Sequence, residues 1–381
     1  MEGTVYKDGL EGVAAARTAL SYVDGQKGEL LIAGFPVDEL AQRASFEEVT
    51  YLLWHGNLPT SQSLAELRDM LAERRSLPLA TMALLRTAAE HAVAPMDALR
   101  MASGTLDLDS HNEPEQQRID IAARFPTIVS AYARLRMGLE PVTPDPALNQ
   151  AANMLYMLDG KKPTDAQARA LETYLNTVVD HGLNASTFTA RVIVSTGSDL
   201  VSAIEGAVGA LKGPLHGGAP GPALDMVFEI GSRENAEAYL RAKLGRGERL
   251  MGFGHRIYKV RDPRAEVLSA AAGRLYEQNE QIAGDQSLYE LARFVEEQAV
   301  RLLARFKPGR KLQTNVEFYT ALLLHGLGLS SDLFTPTFAV GRVPGWIAHC
   351  LEQKRYGRLI RPSSEYTGER NRRWIPLAER K

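Results

Sequence analysis

Three histidines in glycine-bearing settings, one lone carboxylate and a series of arginines stand out in this chain. His216 lies in Gly213-Pro214-Leu215-His216-Gly217-Gly218, His255 in Gly252-Phe253-Gly254-His255-Arg256, and His181 in Val179-Asp180-His181-Gly182-Leu183-Asn184. Asn315-Val316-Glu317-Phe318-Tyr319 supplies the carboxylate, and Arg264, Arg342 and Arg361 follow along the chain. Glycine lets backbone N–H groups approach a ligand and leaves a neighbouring imidazole unshielded. Imidazoles, a single base and several guanidiniums suit chemistry on a substrate that carries carboxylates.

Taken singly, each of these residues also has an ordinary explanation. A histidine is most often exposed or hydrogen-bonded with no chemical role, and His55, His91, His111, His325 and His349 take that reading. An acid near a helix start, as Glu317 is, commonly complements the helix dipole. The basic runs Gln353-Lys354-Arg355-Tyr356-Gly357-Arg358 and Asn371-Arg372-Arg373 read as solvated faces.

The elements that must position these residues are helical. Thr164 and Gln167 form a capping-box pattern, after which Leu171, Tyr174, Leu175, Val178 and Val179 share one helical face that leads into Asp180-His181-Gly182. A second helix follows Ser198, with Val201, Ile204, Val208 and Leu211 aligned, and Gly213-Pro214 ends it before His216. Thr335-Pro336 reads as an N-cap and first-turn proline for a helix through Trp346, Ile347 and Leu351, with Pro344 expected to kink or break it. Alternation near Gly28 to Phe35 supports a small hairpin at most. The run Gly213 to Pro222 is the best hinge.

With 381 residues, 45% hydrophobic and 24% charged, the chain fits one large soluble domain or two unequal ones. A formal net charge of -2 gives no whole-molecule case for nucleic acid, and the single cysteine, Cys350, forbids an intrachain disulfide. The first residues lack a signal-peptide pattern and no segment reads as a membrane span, so a cytoplasmic location is expected.

The histidine, arginine and Asn315-Val316-Glu317 segments keep the order of the citrate synthase signatures. With them go Ile257-Tyr258-Lys259, Asp262-Pro263-Arg264, Phe334-Thr335-Pro336, Gly345-Trp346-Ile347-Ala348-His349 and Arg358-Leu359-Ile360-Arg361-Pro362. Gly9-Leu10-Glu11-Gly12-Val13, Asp24-Gly25 and Phe46-Glu47-Glu48-Val49 also look like this family, so the resemblance spans nearly the whole chain. It implies an all-α, two-domain fold: a large domain from residues 1–216 and 321–381, and a smaller mobile domain from 217–320. It implies condensation of acetyl-CoA with oxaloacetate and water, giving citrate and CoA through an enol or enolate. His216 would polarise the thioester carbonyl, Glu317 would remove a methyl proton, and His255 would act on the keto group. His181, Arg264, Arg342 and Arg361 would bind oxaloacetate, with Arg361 reaching the site of a partner in a homodimer. Leu250, Met251, Gly252, Phe253 and Gly254 would lie against CoA, with Lys259 as a phosphate contact. No metal, permanently bound cofactor, nucleic acid or membrane partner is implied.

Some positions depart from the family pattern. Glu317 stands where aspartate is usual, which adds a methylene between base and backbone. Gly341 stands where serine is common, Pro344 where proline is not expected, and Ile32-Ala33-Gly34-Phe35 replaces a tyrosine- and arginine-containing turn. Three other readings stay open. One is 2-methylcitrate synthesis from propionyl-CoA. Another is a non-catalytic oxaloacetate binder, and the last a metal hydrolase using His181, His216 and His255 as zinc ligands.

Overall fold

The computed structural model describes residues 6–108, 114–217, 220–255, 257–278 and 286–380; His111, Gly218 and Arg256 lie outside them. The described residues form sixteen α-helices, one small sheet and three short 3-10 turns, joined by loops. The sheet is antiparallel in the order β1 (Ser21–Asp24), β2 (Glu29–Ile32), β3 (Phe35–Pro36), one strand more than the expected hairpin. The first helices are α1 (Val37–Arg43), α2 (Phe46–His55), α3 (Ser61–Glu73), α4 (Leu79–Glu90) and α5 (Pro95–Ser103). Next come α6 (Pro114–Arg136), α7 (Gln150–Asp159), α8 (Asp165–Val178), α9 (Ala185–Val194) and α10 (Leu200–Leu211). The last six are α11 (Pro220–Ile230), α12 (Arg233–Gly245), α13 (Pro263–Gln278), α14 (Gln286–Phe306), α15 (Val316–Gly326) and α16 (Phe334–Tyr356).

Local sequence explains where many of these helices start. Thr164 and Gln167 form the reciprocal capping box read from the sequence, and Ser45 with Glu48 forms another. Asn184, Asp199 and Asn315 each accept a backbone N–H from the first turn of α9, α10 and α15. The expected inner faces of α8 and α10 are buried throughout.

Helix α16 forms the central rod, packing against α2, α5, α6, α8, α9, α10 and α11. Its start differs from the expectation. A 3-10 turn at Ser331–Leu333 leads directly into it, and Thr335 lies inside the helix with its hydroxyl turned to the Gly217 carbonyl at 2.7 Å. Pro344 does not break it either. A proline removes one backbone N–H, and here the neighbours on every side hold the helix through it. Helix α13 packs on both α8 and α15, while α12 and α14 pack on each other.

The α8–α16 contact leaves no room for a side chain at Gly345, where a Cβ would stand 2.2 Å from the Val179 carbonyl oxygen. Gly345→Ala should therefore destabilise the fold by about 2 kcal/mol or more, since backbone would have to shift. Gly245→Ala, at the end of α12 with nothing within 4 Å of its Cβ position, should add about 0.5–1 kcal/mol. Thermal melts of the two variants, compared with the parent, check both signs.

Candidate active site

Two loops are joined edge to edge to form the site's floor. Gly254 N donates to the Gln313 carbonyl at 2.7 Å, and Asn315 N donates to the Gly252 carbonyl at 2.9 Å. The Asn315 side-chain amide also reaches the Gly254 carbonyl at 2.9 Å. This places His255, just after one loop, beside Glu317, in the first turn of α15. Gly252 has φ of +84°, and a Cβ there would meet Phe318 at 2.9 Å, so glycine alone permits the approach.

His181 follows α8 directly, and its ring centroid lies 5.7 Å from that of His255. The Tyr258 hydroxyl sits 3.0 Å from His181 Nε2. His255 Nδ1 accepts the N–H groups of Ile257 and Tyr258 at 3.1 and 3.2 Å, so the ring proton is on Nε2. Arg264, in the first turn of α13, is 4% exposed and held by Asp262, with Nε to Oδ1 at 3.0 Å and Nη2 to Oδ2 at 2.8 Å. Arg342, 1% exposed, donates from Nε to the Val178 carbonyl at 2.6 Å and lies over the Phe338 ring. No carboxylate among the described residues pairs with it.

His216 sits in the turn after α10, its backbone N–H bonded to the Gly213 carbonyl. Its Nε2 lies 2.8 Å from Ser186 Oγ, which also accepts the Trp346 indole N–H at 3.1 Å and stands 2.8 Å from Asn184 Oδ1. The serine has one proton to give to either Asn184 or His216. When it goes to His216, the imidazole carries its own proton on Nδ1 and can donate from there.

Electrostatics push these groups toward neutrality. Burial, then the Arg264 and Arg342 charges, drive the His181 pKa well below the usual histidine value. Burial and Arg342 bring His216 down to about 4, and burial and Arg264 bring His255 down to about 4. Burial raises Glu317 to about 7, although the Arg264 charge opposes it. Burial lowers Arg342 to about 10, against the pull of Asp180. The site thus offers neutral imidazole donors and a carboxylate basic enough to take a proton near pH 7.

The structure brings together His181, His255, Arg264, Arg342 and Glu317, and links His216 to them through Ser186 and Trp346. Leu250 and Met251 precede the Gly252–Gly254 loop, with Leu250 buried, while Lys259 is exposed just beyond it. Arg361 stands apart and exposed. Its neighbour Ile360 donates to Ser195 Oγ at the C-terminal end of α9, about 15 Å along that helix from the site. His181 and His255 are neighbours but His216 is turned to Ser186, and the described residues hold no group of three metal-ligating side chains. No described helix is long and apolar enough to cross a membrane.

Sequence reasoning missed several contributors. His349, read as a bystander, is fully buried and bonds the Asp180 carboxylate at 3.2 Å through Nε2 while its Nδ1 accepts from Arg191. Tyr174, read only as core, has a buried hydroxyl with no hydrogen-bond partner among the described residues, and Arg342, Arg264 and Glu317 all act on it. Ser186 carried no signal beyond its place two residues after Asn184.

Comparison with known proteins fits this geometry. A family model described as "Citrate synthase, C-terminal domain" matches residues 9–363. The chain is similar to "Citrate synthase 2" of Bacillus subtilis, 43% identical over 379 residues and 98% of each chain. It is also similar to "2-methylcitrate synthase" of Mycobacterium tuberculosis, 38% identical over 96% of this chain and 91% of the other. Among solved structures it resembles citrate synthase from Pyrobaculum aerophilum, with a TM-score of 0.89 and 36% identity over 98% and 95% of the two chains. The Thermoplasma acidophilum citrate synthase, solved as a ternary complex with carboxymethyl coenzyme A and oxaloacetate, gives 0.88 at 30% identity over 98% and 99%.

If Glu317 is the base, it must be ionised to act. Its pKa is raised to about 7, so the rate should fall about tenfold per pH unit below that value and level off above it. Glu317→Gln should remove this limb and lower kcat by about 10²-fold or more while leaving the fold no less stable than the parent's, since it removes a buried carboxylate whose pKa burial has raised. Initial rates from acid to alkaline pH, for parent and variant, make the measurement.

Proposed function

This chain belongs to the citrate synthase family, and on that footing we propose how its residues divide the work of joining acetyl-CoA to oxaloacetate. The reaction is an acyl transfer that consumes water and yields citrate and free CoA. A thioester methyl is a very weak acid, so a carboxylate removes its proton only when the developing enolate oxygen is stabilised at once. Glu317 takes the proton and His216, neutral and held by Ser186, donates to the thioester oxygen. The methylene carbon then attacks the keto carbon of oxaloacetate, and His255 donates from Nε2 to the keto oxygen as it gains charge. Water finally cleaves the thioester of the citryl intermediate and releases CoA.

The observation that carries this assignment is the convergence of two buried guanidiniums, Arg264 and Arg342, beside His181 and His255. Such a pocket suits a small dicarboxylate, and His181 is placed to bond its keto oxygen. The run Leu250 to Gly254, with Lys259 beyond it, would lie against CoA. We assign residues 217–320 to a smaller domain that closes over both substrates, with the rest of the chain as the larger one, because closure would keep water from the intermediate.

Arg361 fits the site of a second copy better than its own. It is exposed on a tail whose Trp374 and Leu377 are 78% and 77% exposed, as a homodimer contact would require. A second reading, 2-methylcitrate synthesis, is favoured by the likeness to the Mycobacterium tuberculosis 2-methylcitrate synthase.

The deciding experiment is thiol release by the purified protein from oxaloacetate with acetyl-CoA or propionyl-CoA. Acetyl-CoA should be favoured by kcat/KM, by about 10- to 200-fold if the pocket discriminates one methylene. A preference for propionyl-CoA would reverse the substrate assignment. Arg361→Ala and His216→Ala should each be inactive alone, and refolding them together should restore one working site per heterodimer. Failure to recover activity on mixing would place Arg361 in its own chain's site.

A further inference from the structure

The β1–β2 hairpin contributes no group to the reaction proposed above, yet its two ends touch the chain beside both oxaloacetate histidines. At one end, Ser21 Oγ donates to Asp180 Oδ2 at 2.5 Å and accepts the Gly182 N–H at 2.9 Å. A single hydroxyl thus bridges the residues before and after His181. At the other end, the Gly25 carbonyl accepts the Lys259 N–H at 2.8 Å. A Cβ on Gly25 would stand 2.2 Å from the Ile257 carbonyl oxygen, so the turn's backbone lies directly on the segment that follows His255. Within that segment the Ile257 and Tyr258 N–H groups hold His255 Nδ1, and the Tyr258 hydroxyl meets His181 Nε2.

The hairpin is built to keep these two ends apart by a fixed distance. Its strands pair in register from Ser21 with Ile32 to Asp24 with Glu29. Asp24 Oδ1 closes the turn by accepting the Gln26 and Lys27 N–H groups at 2.9 and 3.0 Å. At an extended rise of about 3.3 Å per residue, Ser21 and Gly25 lie about 13 Å apart. Ile32 and Leu30 anchor the second strand in the core, so the hairpin cannot slide.

We infer that the β1–β2 hairpin is a positioning element of the active site, in which Ser21 and the Gly25 turn set the spacing between His181 and His255. This rests on the reading that His181 and His255 hold oxaloacetate. Removing the Ser21 hydroxyl leaves the Gly182 N–H without a partner and Asp180 with one donor fewer, which frees the His181 loop while leaving the surface that would face CoA untouched. The effect is therefore specific to one substrate, which a general loss of stability is not.

The test is steady-state kinetics on the full-length protein carrying Ser21→Ala, Ser21→Thr or Ser21→Cys, with His181→Gln assayed alongside and every variant melted. Ser21→Ala should raise the KM for oxaloacetate about tenfold, as loss of a hydrogen bond to a charged group does, with the KM for acetyl-CoA within about twofold of the parent. Ser21→Thr, which keeps the hydroxyl, should return the oxaloacetate KM to within about twofold. Ser21→Cys keeps the volume and weakens both bonds, so it gives the same direction and serves if the alanine variant does not fold. An impaired His181→Gln beside a kinetically normal Ser21→Ala overturns the inference, as does a loss that falls equally on both substrates. A His181→Gln variant with the parent's oxaloacetate KM instead overturns the assignment of His181 on which the inference stands.

Discussion

Positive charge removed from water, with too little negative charge beside it, is the constraint from which the rest of the site follows. Arg264 has Asp262, but Arg342 is equally buried and relies on a backbone carbonyl and an aromatic face. A guanidinium in that setting is costly until an anion arrives. The protein bears the cost by packing α16 against seven other helices, which leaves Arg342 only 1% exposed. The unmet charge is then what a dicarboxylate ligand relieves.

Burial, with this field added to it, sets the protonation of the histidines. Together they keep the three imidazoles uncharged, which makes each a donor able to strengthen as charge develops on a substrate oxygen. Burial works on Glu317 in the opposite chemical sense, making its carboxylate a stronger base, while Arg264 limits the rise. Glutamate in place of the usual aspartate is compatible with this arrangement. Its carboxylate has no bonded partner among the described residues, and the longer side chain starts from a helix turn fixed by Asn315.

Much of this was legible in the sequence, for identifiable reasons. The capping box at Thr164, the inner faces of α8 and α10, and the glycine loops around His216 and His255 are local patterns, so a short window suffices. The partners of those residues are not local. Ser186 and His216 are 30 residues apart, His181 and Tyr258 are 77 apart, and Asp180 and His349 are 169 apart. His349 looked ordinary because its meaning lies in a carboxylate on another helix. Pro344 and Thr335 misled in the other direction, since local propensity at both gives way to the packing of α16 and to the Gly217 carbonyl.

Helix α16 also has a property that only its continuity confers. Arg342, Trp346, His349 and Gln353 recur along it at three- and four-residue steps. They engage, in turn, the end of α8, the serine beside His216, the Asp180 carboxylate and the Arg358 carbonyl. One inserted residue would rotate everything beyond it by about 100° and advance it by about 1.5 Å. The contacts on one side of the insertion would survive and those on the other would all be lost together. Single substitutions along this helix can be absorbed one at a time, but its length between Arg342 and Gln353 is a phase relation. Descent with insertions and deletions should therefore accumulate in the loops and leave this interval unchanged.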